Sequence, residues 1–553
     1  MECYSPIPEI SGISPVSQTP SNQITDLLLG VPAFGASTVT DVPDECITAY
    51  HNTPVQDFTL TNGTRAQSID YTDPAYTHFT HGTGRTIIYK LPNLSAVTGA
   101  STALLLDRAL GIRLANRISV FLSVDGVNWQ RIYNNRSITS ENDKTIVQIQ
   151  MDFDNSYKAS WVRFDIGVMC HVWMDHLSLY GTTAIPETAI EPVNDGNAKP
   201  ASLLYPNKYP SYDDLCGIKN IWLAYNCMPP EVLAEEALAK LDKYTVEEAK
   251  VYVGYYNKEG KLEDTFFDSA LFLPYSRFTY SKHYKSADGW KYYIDNLFAD
   301  GENVDALNEA VGIVGKELGV DFKLKLFFSI FHTAPHYGSF PEKFGDIDDD
   351  GIDEDLSKLE DKIKVTKWMI DTQIARLNEK ERKNLELSGF YWFEEEIASD
   401  NPYEYEVMEF ASNYVHSLGY KLIWIPYYQA AGYTEWQENG FDVACMQPNY
   451  AFNPNVPLKR LYDNAAQCKR LGMCYELEIN QVEVPSDSDK YKEYLEAGVS
   501  EGFMHTIKMY YQDCRAFWIA YNSKDEFIRS VYDDTYLFAK EKLIKPMRMP
   551  KQD

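Results

Sequence analysis

Two short stretches hold acidic side chains in a pattern that chemistry can use. Gly389-Phe-Tyr-Trp-Phe runs straight into Glu394, Glu395 and Glu396, and Gly472-Met-Cys-Tyr leads to Glu476 and Glu478. Both read as apolar strands that end in carboxylates, and the period of two in a strand puts Glu476 and Glu478 on one face. Two converging carboxylates can cleave a glycosidic bond. At about 5 Å apart, one attacks the anomeric carbon while the other protonates the leaving oxygen; at roughly 6.5–9.5 Å, a water fits between them and configuration inverts. The bland alternative is that these glutamates pair with Arg or Lys at the strand ends.

Elements that could aim the two stretches at one point follow from Ile218 onward, where apolar strands alternate with amphipathic helices. Eight strands are predicted: Ile221–Asn226, Phe267–Leu273, Lys323–Ile330, Gly389–Glu395, Lys421–Tyr428, Phe441–Gln447, Met473–Glu478 and Arg515–Tyr521. Helical periodicity is predicted over Pro230–Leu241, Asn303–Leu318, Leu356–Glu379, Tyr405–Leu418 and Leu458–Leu471, with Gly419 and Gly472 placed to cap two of them. Lys250–Gly260 reads as an extra strand and turn. The leading fold is a (β/α)8 TIM barrel, which presents its chemistry at the C-terminal ends of the strands. A doubly wound open sheet is the runner-up, but no Gly-rich phosphate loop follows any strand.

The first third of the chain is different. Residues 1–22 read as an extended leader, and 23–183 carry short alternating segments broken by Gly, Asn, Asp and Pro, the signature of an all-β sandwich of jelly-roll type. Residues 184–214 are a proline-rich linker, and 215–545 hold the barrel. Within the sandwich, Ile118-Ser-Val-Phe-Leu-Ser-Val-Asp-Gly-Val-Asn-Trp129, Trp161-Val-Arg-Phe-Asp-Ile and Met174-Asp-His-Leu-Ser-Leu-Tyr-Gly181 resemble a discoidin-like (coagulation factor 5/8 type C-like) domain. Asp125-Gly126 supplies the tight turn of its hairpin. The resemblance implies either glycan binding through loop aromatics or a packing partner for the barrel.

Composition narrows the partners. The 553 residues carry a formal net charge of −29, which argues against nucleic acid and anionic membranes, both of which need clustered Lys and Arg. The 40 Tyr, 26 Phe and 10 Trp offer flat faces suited to sugar rings as well as to large cores. No apolar run is long enough to span a membrane. The 9 cysteines are odd in number, lack a CxxC pair and fall in apolar stretches, as buried thiols do. Met1-Glu-Cys-Tyr-Ser-Pro lacks a basic and apolar leader, so the protein is expected either outside the cell or on the surface of a bacterium, its signal absent from this sequence, or else in the cytoplasm. Oligomeric state is left open.

The strand-four and strand-seven placement resembles the clan A glycoside hydrolases, which carry the acid/base after strand four and the nucleophile at the end of strand seven. The resemblance implies a retaining enzyme with Glu395 as acid/base and Glu478 as nucleophile, Glu476 being the close alternative. Where clan A has Asn before the acid/base, this chain has Glu394. The C-terminal region, through Phe267-Asp-Ser-Ala-Leu-Phe-Leu, Gly389-Phe-Tyr-Trp-Phe-Glu-Glu-Glu and Tyr475-Glu-Leu-Glu, also resembles an uncharacterised bacterial family that joins a discoidin-like domain to such a barrel. The implied substrate is a polysaccharide or host glycan, and a non-catalytic glycan-binding surface protein with a degenerate barrel is the alternative.

Other strand-end groups predicted to line subsites are Glu394, Tyr225, Asn226, His332, Tyr427, Tyr428, Gln447, Asn449, Trp518 and Tyr521. His332 and His336 lie four apart on a loop, a weak zinc pattern. The chemistry requires no cofactor. Asp346-Ile-Asp-Asp-Asp-Gly-Ile-Asp-Glu354 has calcium-loop spacing, with Asp346, Asp348, Asp350, the carbonyl of Ile352 and Glu354 as ligands of a structural ion. An acidic solvated loop is the other reading.

Overall fold

The structure is a computed structural model, described over residues 21–36, 60–79, 85–168, 171–198, 206–334, 343–397 and 401–549. The predicted leader up to residue 20, His336, Cys3, Cys46, Cys170 and residues 199–205 of the linker lie outside the described residues. The chain divides into two compact units, one drawn mainly from residues before Tyr205 and one mainly from Tyr205 onward.

The first unit is an eight-stranded antiparallel, sandwich-like sheet. Its spine is two strands of 23 residues each, Arg85–Asp107 and Lys144–Ile166, whose pairing breaks register between Lys90 and Ser95 and between Val97 and Gly99. Such bulges bend long strands, so the sheet wraps a core that includes Leu28, Ile87, Leu104, Val120, Phe164, Met174 and Leu179. In the hairpin after Ile118–Ser123, Asp125 Oδ1 accepts from the backbone N–H groups of Val127 and Asn128, both at 2.8 Å. Gly126 takes φ +76°, and a Cβ there would stand 2.9 Å from the Trp161 ring, so only glycine fits the turn.

The second unit is a closed barrel of eight parallel strands: β1 (Asn220–Asn226), β2 (Ser269–Pro274), β3 (Leu324–Phe331), β4 (Leu385–Phe393), β5 (Lys421–Trp424), β6 (Val443–Met446), β7 (Cys474–Glu478) and β8 (Lys508–Tyr511). β8 pairs with both β7 and β1, and that closure rules out the open sheet. Alternate residues fill the interior: Ile221, Leu223 and Tyr225 from β1, Leu271 and Leu273 from β2, Tyr391 and Phe393 from β4, Met509 and Tyr511 from β8. Helices Val304–Leu318, Leu359–Asn378, Glu404–Ser417, Lys459–Leu471, Pro485–Glu501 and Glu526–Ala539 follow in the chain. Gly319, Gly419 and Gly472 stand just past three of them with φ of +69°, +81° and +67°.

Several predicted elements are corrected. Strand eight is Lys508–Tyr511, and Arg515–Tyr521 is instead the start of a helix, Ala516–Asn522. Short apolar runs do not distinguish the two by pattern alone. Here Ala516, Phe517 and Ala520 are buried at helical spacing, and the Phe517 ring packs against Tyr252, Phe267 and Tyr510. Lys250–Val253 belongs to a helix, Val246–Val253, begun by a Thr245–Glu248 capping box; only Gly254–Tyr256 and Leu262–Thr265 form a hairpin. Pro230–Leu241 reduces to two short turns, Pro230–Val232 and Glu236–Ala239. Among the described residues no helix is long and apolar enough to cross a membrane. Cys227, Cys445, Cys468 and Cys474 are buried free thiols, while Cys216 is exposed.

Candidate active site

β4 ends at Phe393, and the three glutamates that follow splay to three partners. Glu394 Oε2 lies 3.2 Å from His332 Nδ1, and its carbonyl accepts from Trp424 Nε1 at 2.6 Å. Glu395 Oε1 accepts from Gln447 Nε2 at 3.1 Å. Glu396 Oε2 accepts from the Tyr427 hydroxyl at 2.6 Å. Gln447 is itself fixed from two sides, its N–H on the Pro426 carbonyl at 2.9 Å and its Nε2 also on the Ile425 carbonyl at 3.0 Å. Rotamer freedom at Glu395 is therefore limited by a side chain that the barrel holds rigidly.

On β7 the alternation separates two functions. Tyr475 and Leu477 point out to the helices; the Tyr475 hydroxyl donates to the Leu461 carbonyl at 3.1 Å and its ring stacks on Phe503 at 3.7 Å. Glu476 and Glu478 therefore point inward, on the parity of core residue Cys474. Both are buried, at 2% and 1% exposure, whereas Glu395 keeps access to solvent at the rim. Glu478 Oε2 accepts from the Tyr494 hydroxyl, Oε1 is buried without a hydrogen-bond partner among the described residues, and the nearby backbone amides of Asn449 and Tyr450 favour the carboxylate's charge.

The three carboxylates act on one another electrostatically. Burial, and then the charges of Glu478 and Glu395, hold Glu476 well above the usual carboxylate range. Burial pushes Glu478 up to about 8 against the hydrogen bond from Tyr494. Glu395 is raised by the density of protein around it and by Glu394 and Glu396, with the Gln447 bond opposing. Tyr225 and Tyr391 each feel both Glu395 and Glu476, and Tyr511 feels Glu476 and Glu478, so the ends of β1, β4, β7 and β8 share one acidic pocket. Carboxylates whose surroundings hold protons near neutral pH are the raw material of acid–base catalysis.

The structure does not bring every predicted residue to that pocket. Trp518 and Tyr521 sit on the Ala516–Asn522 helix, where the Tyr521 ring packs against Tyr256 and Tyr532. Asn226, opposite in parity to Tyr225, bonds Asn296 Oδ1 at 3.0 Å in a buried network. Tyr428 is buried under the Arg460 guanidinium, 3.9 Å from its ring, and its hydroxyl accepts from Gln467 at 3.0 Å. Asn449, at φ +53°, contributes its amide at Glu478. Tyr391, Tyr511, Tyr494 and Asp513 were missed. Parity with Glu395 flags Tyr391, but the other three needed the true β8 and the helix after β7. Asp513, two residues past β8, is raised by burial and acts on Tyr511.

The acidic loop stands elsewhere. Asp346, Asp348 and Asp350 each place an oxygen within 4.8 Å of the others. Lys364 Nζ reaches Asp348 at 3.0 Å, Asp350 at 2.8 Å and Glu354 at 2.6 Å, supplying a positive charge among the calcium-type ligands. Lys291 Nζ takes the Asp346 carbonyl at 2.9 Å, and Ile352 donates its N–H to Asp350.

A family model for a domain of unknown function, DUF4855, matches residues 232–537, more than half of the chain. The chain belongs to the DUF4855 family. That match covers the strands from β2 to β8 and thus all three carboxylates. No curated protein matches. Solved structures similar in part include CpGH89CBM32-5 from Clostridium perfringens in complex with GalNAc-beta-1,3-galactose, 17% identical, covering 26% of this chain and 92% of that one at a TM-score of 0.18. A Ruminococcus gnavus GH29 fucosidase in complex with fucose is 13% identical, covering 29% of this chain and 27% of that one at a TM-score of 0.19. The C-terminal domain of a Bacteroides fragilis chitobiase is 17% identical, covering 22% and 78% at a TM-score of 0.17. Likenesses of this size bear on neither the site nor the substrate.

Proposed function

We propose that this DUF4855 protein is a retaining glycoside hydrolase acting on a polysaccharide or host glycan outside the cell, with the sandwich as a glycan-binding unit. One observation carries the reading: a solvent-reached glutamate at the end of β4 stands close enough to two buried glutamates on the inner face of β7 that its charge raises the proton affinity of both. In the first half-reaction a Glu478 oxygen bonds the anomeric carbon, the glycosidic C–O bond breaks, and the leaving oxygen takes the proton of Glu395. Water then attacks the anomeric carbon, its proton passing to Glu395 as the bond to Glu478 breaks, which restores both carboxyl groups to their starting states. The half-buried rings of Tyr225 and Tyr511 suit a sugar ring.

The test is a panel of 4-nitrophenyl glycosides and polysaccharides, with the anomer of the first product followed by proton NMR. Glu395→Gln should fold normally and lose about 10²–10⁴-fold in turnover on substrates that need leaving-group protonation. Unchanged turnover in that variant sinks the assignment. Sugar binding without any turnover in the native protein makes the barrel a binding site instead.

A further inference from the structure

We propose that Tyr494 is the positioning residue that makes Glu478, and not its strand neighbour Glu476, the ionised member of the buried pair. Tyr494 sits on helix Pro485–Glu501 and is wholly buried, its ring held near those of Tyr450 and Tyr475. The phenol oxygen accepts the Ala451 N–H at 3.1 Å, which leaves its single proton free for Glu478 Oε2. In the loop after β6 the backbone amides of Asn449 and Tyr450 also favour the charge of the same carboxylate. Among the described residues no donor reaches Glu476.

The two glutamates share a strand, a face and near-complete burial, so their difference comes from these donors. Donors aimed at a carboxylate favour its charged form. The other titratable groups facing the pair are Glu395 beyond β4, Tyr225, Tyr391 and Tyr511 near the ends of β1, β4 and β8, Tyr475 and Cys474 on β7 itself and Cys445 on β6; all are acids, so none brings a positive charge to Glu478. The pair titrates together, and the first proton leaves from Glu478. The role in turnover rests on the glycosidase reading, whereas the ownership of the proton does not.

The experiment is an infrared titration of the full chain labelled with carboxyl-13C glutamate, with Glu476→Gln and Glu478→Gln assigning the bands. In the native chain Glu478 should ionise at lower pH than Glu476. In Tyr494→Phe the Glu478 midpoint should rise by about one pH unit, as the loss of a charge-assisted hydrogen bond requires. On any substrate that is cleaved, the acidic limb of kcat/KM should move up with it and kcat should fall about tenfold, with KM within about twofold. A Glu478 midpoint unmoved in Tyr494→Phe overturns the proposal, as does Glu476 ionising first. If Tyr494→Phe does not fold, the single variants decide: the carboxylate left in Glu476→Gln must titrate below the one left in Glu478→Gln, and the reverse order overturns the proposal. A shifted midpoint in a protein that cleaves no glycoside sinks the glycosidase reading alone. Turnover with an unmoved midpoint sinks the Tyr494 role alone.

Discussion

Gln447 Nε2 donates to Glu395 Oε1 at 3.1 Å, so the residue after β6 steadies the carboxyl group after β4 across the mouth of the barrel. The bond favours the charged carboxylate and holds its proton affinity down against burial and the neighbouring Glu394 and Glu396. Gln447→Leu removes the donor at similar volume. Glu395 should then hold its proton to higher pH, and the alkaline limb of kcat/KM should move up by about half to one pH unit. Pre-steady-state pH profiles check this. A limb that stays in place means that Glu395 is not the group titrating there.

Much of the site was legible because strand ends carry their own punctuation. Glu394–Glu396 follow an aromatic strand without interruption, and the period of two puts Glu476 and Glu478 on one face of theirs. What stayed hidden depends on partners distant in the chain. Tyr494 lies on a helix 16 residues beyond the glutamate it holds, and nothing in its local pattern separates it from a core tyrosine. β8 was concealed by Lys508, which reads as a surface residue but is buried with its ammonium on the carbonyls of Met504 and Thr506. The longer apolar run at Phe517 attracted the strand assignment in its place, and Trp518 and Tyr521 went with it.

Gly389 shows how closely β4 approaches its neighbours. A Cβ there would stand 2.1 Å from the Lys421 carbonyl oxygen and 2.8 Å from the Phe327 ring. The β3–β4 pairing also slips between Leu326 and Phe327, leaving Ser388, the residue before Gly389, as the extra residue of a bulge. Gly389→Ala should destabilise by about 3 kcal/mol through overpacking that backbone cannot relieve. Thermal unfolding should fall by about 6–10 °C at that cost. A change under about 2 °C would mean that β4 can move away from β5 without loss.

Lys364 holds the charge balance of the Asp346–Glu354 loop, contacting three of its carboxylates at 3.0 Å or less. Those hydrogen bonds hold the lysine proton well above its ordinary range. A calcium ion must compete with this ammonium, so binding in the native chain should be weak, at about millimolar concentration. Lys364→Met removes the competitor and should tighten calcium binding at least about tenfold by calorimetry. Equal affinity in the two proteins would mean that the carboxylates do not serve as calcium ligands.

Glu476 should cost stability as pH rises. The folded chain keeps its proton well above the ordinary value of 4.5, because burial and the charges of Glu478 and Glu395 oppose ionisation. Over that interval the unfolded chain has already lost the proton, so the folded state binds more protons than the unfolded one. Stability then falls with rising pH, beginning near the ordinary value and reaching its full loss above the folded value. Glu476→Gln removes the titration while keeping the shape. Its Tm advantage over the native chain should be smallest near pH 4 and grow to about 2–4 °C by pH 9. Glu478→Gln should show the same trend more weakly, because donors already support its charge and it ionises nearer neutrality. Differential scanning calorimetry from pH 4 to 9 measures both. A Tm difference that does not change with pH would show that Glu476 binds its proton no more tightly in the folded chain than in the unfolded one.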